Sequence, residues 1–170
     1  MLLENAFLPC GLLTEDSIQS AQRLNIVAMI KRVLLTDQKG IHVNNKEIIR
    51  QLYESFASGD VPAVVAAFDN NISWTEADGF PLAGTYIGPQ AVVENVFMRL
   101  GDFSDNWGVV VDRLIADGDT VVADGKYTWN HKETGAACEA RMAHVWTLAD
   151  GKATNFLQHV DTVAVREQIK

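Results

Sequence analysis

Cysteine, positive charge and long apolar runs are all scarce in this chain of 170 residues. Each scarcity removes a class of protein. The two cysteines, Cys10 and Cys138, are too few for a disulfide scaffold and fit no metal motif. They are read as free thiols of a reducing cytoplasm. Fourteen Lys and Arg stand against 22 Asp and Glu, a formal net charge of -8. An acidic surface attracts neither nucleic acid nor an anionic membrane, and no basic cluster reverses that. No apolar run approaches the roughly 20 residues that span a bilayer. The apolar opening MLLENAFLPCGLL is broken by Glu4 and follows no basic region, so no signal peptide is expected. Gly-rich phosphate loops and metal-ligand spacings are missing as well, so neither cofactor nor metal is expected.

What the chain does have is apolar material, 48% of its residues, enough for a core without metals or disulfides. Regular punctuation starts at Asn44. Residues 1–44 form an N-terminal extension without evident chemistry. Within it, Ile26, Val27, Ile30, Val33 and Leu34 could share one face of a helix over 17–35. Residues 45–170 read as a single domain. Asn44 is the N-cap of a first helix, with Glu47 three residues later and Ile48, Ile49, Leu52, Tyr53 and Phe56 at helical spacing. Gly59-Asp60 ends that helix and opens another, with Pro62 in its first turn. Asp69-Asn70-Asn71 reads as a turn, after which Ile72, Trp74 and Glu76 share one strand face. Pro89 opens a third helix whose apolar stripe runs to Leu100.

The remainder is strands. NWGVVVDRLIAD, TVVADGKYTWNH, AACEARMAHVWTLAD and ATNFLQHVDTV are separated by Asp-Gly and Thr-Gly turns, the punctuation of antiparallel hairpins. Helices followed by a strand meander predict an α+β fold. Its form would be a cone-shaped, curved antiparallel sheet with the N-terminal helices on the concave face. Its open end would suit a small molecule.

Alternation sorts the side chains. Met142, His144, Trp146 and Leu148 share one face of their strand, and Phe156, Gln158 and Val160 share one face of the next. The turn at Ala149-Asp150-Gly151-Lys152 makes these strands neighbours, so the faces meet. Glu76 reaches the same region from another strand end. Burial would raise the Glu76 pKa and lower that of His144, both toward proton transfer near neutral pH. Arg141 and Asp161 fall on the opposite face, where Asp161 suits a cap or an ion pair. Trp74, Trp146 and Phe156 are candidate walls, and Tyr86 a candidate hydroxyl. Trp107, Tyr127 and Trp129 read as sheet-face or dimer-contact residues.

Three segments carry a family resemblance: YESFASGDVPAVVAAFDNNISWTEADGFPLAGTYIGPQAVVENVF, GDTVVADGKYTWNHKETG and AHVWTLADGKATNFLQHVDT. Together they resemble the SnoaL-like proteins of the nuclear-transport-factor-2-like superfamily, to which ketosteroid isomerases belong, over Asn45 to about Val165. The resemblance implies the cone fold and a homodimer. It places Glu76, with Asp78 as the alternative, at the isomerases' general base and His144 at their oxyanion-hole acid. Their oxyanion tyrosine falls on Leu52, next to Tyr53, and the acid of SnoaL-type cyclases falls on Gln158. The first expectation is therefore a cofactor-independent isomerase or dehydratase for an apolar carbonyl compound. Glu76 and His144 would be catalytic, with Trp74, Tyr86, Trp146, Phe156 and Gln158 around the substrate. The alternative is a non-catalytic small-molecule-binding or protein-association module of the same fold, because one fold hosts many functions.

Overall fold

The first described helix is set by its cap. Asn44 accepts a hydrogen bond from the Glu47 backbone N–H at 3.3 Å and starts α1, Asn45–Ala57. The computed structural model describes residues 44–169. The expected helix over 17–35 and Cys10 lie outside them. Asp60 then caps α2, Val61–Ala66, by accepting from Ala63 N–H at 3.0 Å.

Strand β1, Phe68–Glu76, follows directly and carries a register shift between Phe68 and Ser73. The Asp69-Asn70-Asn71 segment expected as a turn is thus an irregular stretch inside the strand. A loop leads to β2, Gly84–Ile87, which pairs back on β1. The third helix is shorter than its apolar stripe suggests. It is α3, Pro89–Asn95, and the chain then tightens into a 3₁₀ helix, Phe97–Asp102. Four long strands complete the sheet: β3, Ser104–Asp117; β4, Thr120–His131; β5, Ala137–Ala149; and β6, Lys152–Val160. A final helix, α4, spans Thr162–Gln168.

The sheet order is β2-β1-β6-β5-β4-β3. Every neighbouring pair is antiparallel except β1 and β6. The sheet is therefore mixed, where an antiparallel one was expected. The reason is parity. Helix α3 and the 3₁₀ turn carry the chain from β2 to the far edge without reversing its direction. Three hairpins from β3 then bring β6 alongside β1 in the same sense. The α+β architecture, with helices on one face of a curved sheet, is otherwise as expected.

The C-terminal run DTV, expected to prolong the last strand, belongs to α4 instead. Asp161 caps that helix, accepting from Ala164 N–H at 2.9 Å, and Val165 is fully buried. Tyr127 and Trp129 follow the sheet-face alternative of the expectation. Counted from buried Val121 and Ala123, they fall on the inner face of β4, and both are buried. Trp107 stacks on Trp129, with ring centroids 5.1 Å apart. These rings fill the inner face and are not surface contacts.

Candidate functional site

Cross-strand register brings the inner-face side chains together. His144 on β5 stands opposite Gln158 on β6, and Trp146 stands opposite Phe156. Phe156 in turn lies beside Trp74 of β1, the two rings stacked with centroids 3.7 Å apart. Helix α1 lays Tyr53 and Phe56 over this surface. The result is a cavity of about 40 Å³, lined by aromatic rings from every layer and by Glu76, His144, Tyr53, Tyr127 and Gln158. That is room for roughly three waters.

Glu76 is 3% exposed. Its Oε1 accepts from the Trp74 indole N–H at 2.6 Å. Its Oε2 is buried and has no partner among the described residues. Burial raises the Glu76 pKa to about 7, against the smaller opposing effect of the Trp74 hydrogen bond. A lone carboxylate oxygen in an apolar cavity is a costly arrangement, of the sort that clusters at functional sites.

His144 is held between two phenols. Its Nδ1 lies 2.6 Å from the Tyr53 hydroxyl and its Nε2 2.6 Å from the Tyr127 hydroxyl. Burial, with a smaller contribution from the charge of His159, lowers its pKa to about 3, so the ring is neutral. A neutral imidazole has one N–H and one lone pair. It therefore donates to one tyrosine and accepts from the other. Trp146 Nε1 donates to the Tyr53 oxygen at 2.9 Å. Gln158 Nε2 donates to the Tyr127 oxygen at 2.9 Å. The ring and the two hydroxyls hold three protons, and the two contacts between them use two. One tyrosine O–H is left without an acceptor among the described residues. Burial pushes both phenols well above their ordinary pKa, and the Glu76 charge adds to this at Tyr127.

His144 thus has no nitrogen free for a ligand, and hydrogen bonding to a ligand oxygen falls to a tyrosine. Gln158 is also committed. Its Oε1 accepts from Ala77 N–H at 3.1 Å, which turns its Nε2 toward Tyr127. It ties the chain just beyond Glu76 to the tyrosine network. Trp74, Trp146 and Phe156 line the cavity as walls. Tyr86 does not line it; its hydroxyl donates to the Leu82 carbonyl at 2.9 Å.

Tyr53 and Tyr127 are the site residues that sequence reasoning missed. The signal for Tyr127 was its place in the alternation of β4. For Tyr53 it was its place beside the tyrosine position of the related isomerases. No group of His, Cys, Asp and Glu among the described residues could hold a metal. None of the described helices is long and apolar enough to cross a membrane.

A curved, mixed sheet with helices on one face is the fold of the nuclear-transport-factor-2-like class. Within it, the chain belongs to the SnoaL-like domain family, whose model matches residues 49–156. It is similar to an NTF2-like protein of Burkholderia thailandensis, at 37% identity over 74% of this chain and 97% of that one, with a TM-score of 0.71. A second NTF2-like protein, from Burkholderia pseudomallei, is 28% identical over 75% of this chain and 98% of that one, with a TM-score of 0.70. TerC, crystallised with polyporic acid, is 26% identical over 74% of this chain and 97% of that one, with a TM-score of 0.68. A comparison with curated proteins gives no match.

Proposed function

We propose that the protein is a cofactor-independent isomerase or dehydratase for a small apolar carbonyl compound. Glu76 takes a proton from the carbon next to the carbonyl. A tyrosine hydroxyl of the Tyr53–His144–Tyr127 array donates to the enolate oxygen as charge develops there. The observation that carries this is the unpartnered Glu76 Oε2 facing a cavity that also holds an uncommitted phenol proton. Carboxyl and phenol are the two parts an enolisation needs, and both are buried away from bulk water. Crystallisation of TerC with polyporic acid supports small-molecule binding in this fold.

The test uses the smallest ketones, such as acetone, in D₂O, since the cavity has room for only about three waters. Exchange at the carbon next to the carbonyl is read by proton NMR. The native protein accelerates exchange, and Glu76→Gln loses the acceleration by about 10²–10⁴-fold, the usual worth of a general base. Equal rates for the two proteins sink the mechanism.

A second reading, a non-catalytic binding module, rests on Gln158. Both ends of its amide are bonded, at the position where related cyclases carry an acid. This reading predicts ketone affinity that survives Glu76→Gln with no exchange by either protein.

The proposal includes a homodimer formed through the outer sheet face, and residence in the cytoplasm. The first is supported by an apolar row on that face. Leu157, Val145, Val122 and Ile115 stand in direct cross-strand register. The second rests on cysteine usage alone.

A further inference from the structure

We propose that Tyr127, His144 and Tyr53 form a path that carries protons between the buried cavity and a surface groove. The proposal rests on the reading of the cavity as a place of proton chemistry, but its test does not. The groove lies between α1 and β3, has a volume of about 470 Å³, and is lined by Lys46, Arg50, Glu54 and Asp112 among others. Two residues line both the groove and the cavity, Tyr53 and Val109. Val109 has no exchangeable side-chain proton, so Tyr53 is the connection. From it the contacts run inward without a gap. Tyr53 Oη lies 2.6 Å from His144 Nδ1, and His144 Nε2 lies 2.6 Å from Tyr127 Oη. Tyr127 lines the cavity together with Glu76.

The proton count sets the steps. The path begins with the ring protonated at Nε2 and donating to Tyr127, and with the Tyr53 hydroxyl donating to Nδ1. The spare proton is then on Tyr127. When Tyr127 gives it to an oxyanion in the cavity, the Nε2 proton moves to the Tyr127 oxygen and the Tyr53 proton moves to Nδ1. Tyr53, whose hydroxyl is itself buried, takes a proton from hydronium that enters past its side chain from the groove. Every group ends neutral, the ring has changed tautomer, and one proton has passed from groove to cavity. The spare proton now sits on Tyr53, and the reverse sequence exports a proton. Trp146 and Gln158 donate to the phenol oxygens throughout, so neither phenol must reorganise to act as an acceptor.

The experiment follows the His144 imidazole proton in full-length protein labelled with ¹⁵N-histidine, with no substrate added. Ring nitrogen shifts identify the tautomer, and exchange with water is measured by saturation transfer. Tyr53→Phe removes the surface end and is expected to slow exchange at least tenfold. Tyr127→Phe leaves that end in place and is expected to stay within about twofold of native. A native rate in Tyr53→Phe, or equal slowing in both variants, overturns the path. If Tyr53→Phe does not fold, 3,5-difluorotyrosine at position 53 replaces it. A more acidic phenol speeds exchange if it relays the proton, and an unchanged rate overturns the proposal. Exchange that follows this pattern beside a failed ketone assay leaves the path standing and removes the enolisation reading. The converse result removes the path alone.

Discussion

At the scale of single residues, Glu76 and His144 have opposite effects on stability. Glu76 is harder to ionise in the folded protein, with its pKa near 7 against an ordinary 4.5. The folded state therefore binds more protons than the unfolded state between those values, and stability falls as pH rises through that window. His144 is harder to protonate when folded, near 3 against 6.5. Between those values the unfolded state binds more protons, and stability falls as pH drops. From pH 4.5 to 6.5 the two slopes oppose each other. Glu76→Gln removes only the first and retains an amide oxygen for the Trp74 indole. It is expected to be more stable than the native protein at pH 8, by up to about 3 kcal/mol, with the gain gone below pH 4.5. Urea unfolding at pH 4, 6 and 8 checks this. A difference independent of pH would mean that Glu76 ionises in the folded state as it does in the unfolded chain.

At the scale of elements, the tightest constraint lies where β3 crosses β4. The β3 register shifts between Val111 and Arg113, and Gly125 faces that irregularity. A Cβ on Gly125 would stand 2.0 Å from the Val110 carbonyl oxygen, a backbone atom that cannot rotate away. Gly125→Ala is therefore expected to cost about 3 kcal/mol or more, read as a lower urea midpoint. The sequence places Asp124-Gly125 inside a single strand run, as observed, and nothing local shows that a close approach requires the glycine.

The same limit governs what else was legible. Hairpins β4–β5 and β5–β6 could be read because turn residues and a period of two are local properties. They are enough to set His144 and Gln158 face to face. The caps at Asn44 and Asp60 were legible for the same reason. The parallel pairing of β1 with β6 was not, since it depends on how α3 and the 3₁₀ helix redirect the chain. The convergence of Tyr53 and Tyr127 on one imidazole was hidden likewise. It needs the seating of α1 and the β4–β5 register at once. Helix α4 was masked by Val163 and Val165, which alternate like strand residues, although Asp161 was there to cap it. Its last residues cover the part of β5 that β6 does not reach. Gln168 accepts from Glu139 N–H at 3.2 Å and donates to the Glu139 carbonyl at 3.0 Å, substituting for a strand at that edge.

At the scale of the whole molecule, the two faces of the sheet have different tasks. The inner face is used up by the cavity and its supports. The outer face carries the row Leu157, Val145, Val122 and Ile115, with Ile115 52% exposed and Val110 42% exposed farther along β3. Beside it, Arg141 bridges Asp112 at 2.7 Å and Asp124 at 3.0 Å. Such exposed pairs add little stability to a single chain, so the charges are better suited to framing a contact than to holding the fold. An apolar strip between polar and charged rows, Arg113, Asp124, Ala143 and His159 on one side and Asp117, Thr120, Thr147 and Asn155 on the other, suits a self-complementary interface. A dimer of this kind has twice the 18.7 kDa chain mass in sedimentation equilibrium. Val145→Arg sets a charge in the middle of the strip and its copy opposite the partner's. It is expected to shift the mass to that of one chain, while ¹⁵N-histidine signals from His144 stay in place because the cavity lies across the sheet. A native protein that sediments as a single chain at tens of micromolar would leave the apolar row without this role.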